Sequence, residues 1–176
     1  TLYRYFRGMD DLTLAIGAAL SGQALDGWAP TGDWRADLRA VGLRIHAAYL
    51  AHPQAAVLTT SRVSGRANEL AADEAVLEVL RSAGFPTADT VRIYHAFIDQ
   101  TLAFAALDAA PLTLPSAALR ADEAIWRSTY ARLPPTTHPR IAEAAALLAA
   151  HMVRSAYPTA LDMLLDSAAA QLDALR

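Results

Sequence analysis

The chain of 176 residues contains no cysteine and no lysine. Without thiols there is no disulfide framework and no thiolate metal site, and the composition suits a reducing cytoplasm. The basic side chains are 15 arginines set against 18 acids, for a net charge of -3. A surface built throughout to wrap nucleic acid is thereby excluded, and any DNA contact must be local. No apolar run reaches the roughly 18–20 uncharged residues of a membrane span. The start shows no basic-then-apolar signal pattern. Strand-like alternation, hairpin turns, internal repeats and low-complexity linkers are missing too. There is no phosphate-cradling glycine loop, no H-E-x-x-H and no G-x-S-x-G, and the histidines at 46, 52, 95, 138 and 151 lack metal-ligand spacing with carboxylates. No enzyme, metal or cofactor is expected.

What is present is helix-forming. Hydrophobic residues make up 54% of the chain, much of it alanine and leucine, and these favour helix. Prolines at 30, 53, 86, 111, 115, 134, 135, 139 and 158 divide the sequence, because proline breaks helix interiors and biases its predecessor away from the helical region. Between them the spacing predicts a helix over 10–25, with Leu12, Ile16 and Leu20 on one stripe, and then a loop over 27–32. A helix capped by Asp33 runs to His52-Pro53. A short helix follows over 53–63, then one over 65–83 closed by Gly84. The clearest helix opens after Pro86 and carries Val91, Tyr94, Phe97, Ile98, Thr101, Leu102 and Ala105 in an i, i+3, i+4, i+7 pattern. A loop over 109–115, helices over 116–132 and 140–156, and a last helix from Pro158 complete an all-α chain.

Residues 1–12 stand apart: Thr1-Leu2-Tyr3-Arg4-Tyr5-Phe6-Arg7-Gly8-Met9-Asp10-Asp11-Leu12 is an aromatic and arginine-rich run, then a glycine, then two acids opening an apolar helix. Hydroxyls, phenols and guanidinium groups on a short helix suit the second helix of a helix-turn-helix, whose N-terminal residues reach base edges while neighbours bond phosphates. Leu2 and Phe6, at i and i+4, would hold such a helix on its own core. The pattern Thr1, Leu2, Tyr3, Tyr5, Phe6 and Leu12 resembles the recognition helix and following helix of the TetR family of bacterial transcriptional regulators. Met9 departs from it, standing where the family usually has a phosphate-contacting lysine. The resemblance implies Thr1, Tyr3 and Tyr5 on the DNA backbone, Arg4 as base reader and Arg7 as a phosphate contact. The chain opens in mid-motif, so further residues are expected upstream. It divides into 1–25, the end of the DNA-binding domain with its connecting helix, and 26–176, a ligand-binding and dimerisation domain.

The remainder is similar to the family's regulatory domain in helix order, in His52-Pro53 and in Gly84-Phe85. The tetracycline-repressor branch carries a magnesium-ligating histidine at a position that falls on Leu58 here, so no metal-chelated effector is expected. The resemblance implies a homodimer, since a palindromic operator needs two recognition helices about 34–36 Å apart. Its interface is expected on the helix after Pro86 and the last helix, with Leu161, Leu164, Leu165, Ala168 and Leu172 as the stripe. It also implies a pocket between the helices that start at Asp33, Gly65 and Pro86. The polar candidates are His46, Tyr49, Thr59, Ser61, Arg62, Tyr94, His95, Asp99, Gln100 and Thr101, with Leu50, Leu58, Leu77, Phe97 and Ile98 as apolar companions. Such a pocket fits a medium-sized, mainly apolar effector. The expected function is a cytoplasmic, ligand-responsive repressor released from operator DNA. The other reading of the same residues is a helical small-molecule-binding or scaffolding module without DNA activity.

Overall fold

The computed structural model describes residues 5–175. Among them are eight helices and no strand: α1 (Met9–Leu25), α2 (Trp34–Leu50), α3 (Pro53–Thr59), α4 (Ala67–Ser82), α5 (Thr87–Leu112), α6 (Ser116–Arg132), α7 (Pro139–His151) and α8 (Tyr157–Ala174). Helix starts follow local chemistry. The Asp33 carboxylate accepts from the amides of Arg35 and Ala36 at the start of α2, satisfying donors that the helix itself leaves open. Pro53 and Pro139 sit in the first turns of α3 and α7, where a missing amide hydrogen costs nothing. Gly84 ends α4 with φ +103, a left-handed conformation that glycine adopts without strain.

Helix ends differ from expectation in three places. Helix α3 stops at Thr59 and α7 at His151. Helix α5 runs through Pro111 to Leu112. Pro111 lies in the final turn, where its ring removes a single backbone bond, and Ala105 and Ala109 just before it are fully buried. The core face therefore carries the helix past the proline.

Helices α2 and α5 cross at the centre. Helix α8 packs on both, α1 lies against α2, α3 and α4, and α3 and α4 also cover α5. Tyr157, Phe85, Phe97, Leu38, Leu80, Leu161, Leu165, Val41 and Val76 are the largest fully buried apolar side chains. Gly42 makes the tightest approach: a Cβ there would lie 2.5 Å from the Tyr157 hydroxyl and 3.1 Å from both Leu161 and Phe97. Trp34 and Phe85 meet in a T-shaped contact with ring centroids 5.3 Å apart. Arg35–Asp166 at 2.5 Å and Arg39–Asp162 at 2.7 Å join α2 to α8 along their solvent edge. Buried Asp37 accepts from the Thr31 amide, the Thr31 hydroxyl and the Gly32 amide, which fixes the loop ahead of α2.

Two expected stripes are placed differently. On α1 the buried residues are Ala18, Leu20 and Ala24, while Ile16 is 37% exposed. The core face is rotated toward the small residues that let α1 approach its neighbours; Gly22 packs on Asn68 and Gly17 on Thr59. On α8, Leu161, Leu165, Ala168 and Leu172 are buried within their own chain and Leu164 is half-buried. Those four belong to the core of their own chain, where α8 packs on α2 and α5. Helices α6 and α7 pack chiefly on each other, bury no residue and stack Trp126 on Tyr130 at 4.8 Å.

Candidate functional site

A cavity of about 390 Å³ opens among α1, α2, α4, α5 and the segment 59–64. Helix α1 supplies Thr13, Leu14, Gly17, Ala18 and Ser21; apart from Leu14 these are small side chains whose size leaves the space unfilled. Ile45 and Tyr49 come from α2, and Tyr94, His95, Ile98, Asp99 and Leu102 from α5. Glu69, Ala72 and Asp73 face it from α4, and Thr59, Thr60, Ser61, Arg62, Val63 and Ser64 close the remaining side.

The lining combines phenols with carboxylates. Tyr49 is 4% exposed; burial pushes its phenol pKa up, and hydrogen bonding with Ser21 and Thr59 works the other way. The Tyr94 phenol is held far above its usual value by burial, by its hydrogen bond with Asp73 and by the surrounding carboxylates. The Asp73 carboxyl is raised as well, first by burial; Tyr94 lowers it and the Glu69 charge raises it further. Glu69 accepts from the amides of Ser64 (2.7 Å) and Gly65 (2.9 Å), and so shapes the turn that closes the cavity.

The same turn is tied to the first turn of α1. Arg62 reaches Asp10 at 2.6 Å and Arg66 reaches Asp11 at 2.5 Å. At the other end of α1, the Arg44 guanidinium donates to the carbonyls of Ala24 (2.6 Å) and Asp26. Helix α1 is therefore gripped at both ends by the helices it covers, and its middle forms a cavity wall.

Of the residues expected at the pocket, Tyr49, Thr59, Ser61, Arg62, Tyr94, His95, Ile98 and Asp99 come together on its lining. Others have separate positions. The His46 Nε2 meets Asp108 at 2.8 Å, and its ring stacks on Tyr157 at 4.7 Å. Ser155 donates to the same Asp108 carboxylate. Thr101 donates to the Phe97 carbonyl at 2.7 Å and lies 2.8 Å from the Tyr157 hydroxyl; burial raises the Tyr157 pKa to about 12. Phe97 is fully buried in the core, Leu50 and Leu77 are half-buried outside the lining, Leu58 is 62% exposed, and Gln100 bonds the Ala160 carbonyl. Sequence reasoning missed the α1 wall and the Glu69–Asp73 pair. The i, i+4 spacing of Glu69 and Asp73, which puts two acids one turn apart on one face of α4, was the available signal for the pair; Gly17 and Ser21 offered none.

Of the residues expected on DNA, Thr1, Tyr3 and Arg4 lie outside the described residues. Tyr5 and Arg7 are exposed just ahead of α1, and the Arg7 amide donates to Asp11 at 3.1 Å. Among the described residues no group of three histidines or acids is placed to hold a metal ion. No single helix there is long and apolar enough to cross a membrane.

An all-α bundle with a hollow under α1, and with Tyr5 and Arg7 exposed just ahead of that helix, is the arrangement of a TetR-type regulator. The chain belongs to the TetR family: the tetracyclin repressor-like C-terminal domain matches residues 27–172. Two solved structures from Streptomyces coelicolor A3(2) share the fold. A protein assigned as a TetR family transcriptional regulator is 27% identical with TM-score 0.77, over 99% of this chain and 82% of that one. A protein assigned as a transcriptional regulator is 25% identical with TM-score 0.71, over 99% of this chain and 80% of that one. No curated protein matches it.

Proposed function

We propose that the protein is a cytoplasmic repressor, released from a palindromic operator when a small, mainly apolar effector enters the cavity beneath α1. The observation that carries this reading is the shared wall: Arg62 both lines the cavity and holds Asp10 at the start of α1, directly after the aromatic-arginine segment. An occupant that pushes on the 59–64 segment or on Gly17 and Ser21 must shift α1, and α1 carries the reading end. In a dimer this alters the separation of two recognition helices and so the fit to a palindrome. Couplings of about 1–3 kcal/mol suffice for such a switch.

Thr1, Tyr3 and Tyr5 are assigned to the DNA backbone, Arg4 to base edges and Arg7 to phosphate. Dimerisation through α5 and α8 uses the outward faces that remain uncovered. These carry Met163, Ser167 and Ala170 on α8 and Ala96, Ala103 and Leu107 on α5, all exposed. Mostly small side chains let paired helices approach closely.

The test is a thermal-shift screen of drug-like and metabolite compounds, followed by operator-release titration of each hit. Hits are expected to lower operator affinity roughly tenfold or more. In Arg62→Ala the same hits should still bind but release operator far less. A tight cavity ligand that leaves operator affinity untouched would refute the mechanism, and a monomeric mass at micromolar concentration would refute the dimer.

A further inference from the structure

The charge on the cavity wall that has no opposite partner is of one sign, and this inference rests on reading the cavity as the effector site. Tyr49 and Tyr94 place two phenol rings on its wall, and Glu69 and Asp73 place two carboxylates one helical turn apart beside them. The nearby positive groups are already engaged: Arg62 with Asp10 at 2.6 Å, Arg66 with Asp11 at 2.5 Å, and His95 with Asp99 at 3.1 Å. Glu69 is held by the amides of Ser64 and Gly65, neutral donors that orient the carboxylate and leave its charge. Asp73 faces the Tyr94 phenol, also neutral. Among the described residues neither Glu69 nor Asp73 has a basic partner.

We propose that the effector is an organic cation: an apolar, ring-containing body sized to the cavity, bearing one ammonium-like centre that sits against the Asp73 and Glu69 carboxylates beside the rings of Tyr49 and Tyr94. Each element of the wall answers a part of that ligand. Leu14, Ile98 and Leu102 take the apolar body. Carboxylates in a partly dehydrated cavity attract a cation more strongly than they would in water. Aromatic rings add attraction for the same charge. The burial that pushes the Asp73 carboxyl pKa up is a strain that a bound cation relieves. An anion would meet both carboxylates and would have to draw Arg62 away from Asp10. A neutral molecule of the same shape would leave the two charges as they are.

The experiment is calorimetric titration of the protein with three probes that share one ring system: naphthylmethyl-trimethylammonium, naphthylmethanol and naphthylacetate. Ser21→Leu, which fills the cavity from the α1 side, reports whether binding is there. The cation is expected to bind at least about tenfold more tightly than the alcohol, with the acetate weakest. In Asp73→Asn, checked for native helix content and melting, the cation should lose most of that advantage while the alcohol keeps its affinity. Equal or tighter binding of the alcohol, or a cation preference unchanged in Asp73→Asn, overturns the cation assignment and leaves the cavity as effector site. If none of the probes binds at millimolar concentration, or if Ser21→Leu weakens none of them, the effector-site reading falls together with it.

Discussion

Helices α2 and α5 meet other helices on two sides, and the two sides are built to opposite ends. Toward α8 the space is filled: Gly42 lets Tyr157, Leu161 and Phe97 close on the α2 backbone, and in the buried interior the Thr101 hydroxyl meets the Tyr157 hydroxyl. Toward α1 and α4 a cavity of about 390 Å³ remains, lined by hydroxyls, phenols and carboxylates. The helices common to both are the same. What differs is the third partner, since α8 presents Tyr157, Leu161 and Leu165 whereas α1 presents Gly17, Ala18 and Ser21. A close-packed interior tolerates few voids, so a hollow of this size marks the side where the protein gives up packing for binding.

The contrast can be broken first at its tightest point. Gly42→Ala adds a Cβ where the Tyr157 hydroxyl stands 2.5 Å away. Overpacking of this kind costs about 1–3 kcal/mol, against a helix-propensity gain of about 1 kcal/mol. The melting temperature should fall clearly in spite of that gain; an unchanged or raised value would show that the α2–α8 side has room to spare. The open side should behave differently. Ser21→Leu is expected to alter stability by less than about 1 kcal/mol, because the new side chain enters existing space. The same substitution should abolish binding of cavity ligands in titration.

The smallest effect sharpens the electrostatic side of the comparison. Because burial raises the Asp73 pKa in the folded protein, folding favours the protonated carboxyl. Its contribution is fully present below the unfolded pKa and is lost as pH rises through the folded value. Asp73→Asn should therefore be more stable than the parent at pH 7 by roughly 0.5 kcal/mol, a modest figure because Asp73 keeps much of its contact with water. The difference should vanish in acid, as paired melting curves across that range would show.

Much of the fold was legible in the chain because prolines, Asp33 and Gly84 act locally. Their effect on φ or on open helix amides needs no knowledge of neighbours. Ends decided by packing were not legible, as α5 shows in running past Pro111 on the strength of buried Ala105 and Ala109. The candidate site was readable in part for the same reason. His46 and Tyr49 lie one turn apart on α2 and look equivalent by spacing. Only the packed partners send one to Asp108 and Tyr157 and the other to the cavity. The stripe on α8 was periodic and correctly apolar, but periodicity states that a face is covered and is silent on what covers it.

The hydrogen bond between Ser155 and Asp108 joins positions 47 residues apart. Between them the chain leaves the body at the end of α5, builds the α6–α7 hairpin and returns to start α8. Since His46 grips the same carboxylate, the exit and the re-entry are fastened to α2 at a single point. The entropy of closing a loop grows only with the logarithm of its length, so the body is nearly indifferent to what the excursion contains. Residues 113–154 are therefore the part of this protein that can change length or sequence with least penalty. The other helices are bound to one another by the packing they share.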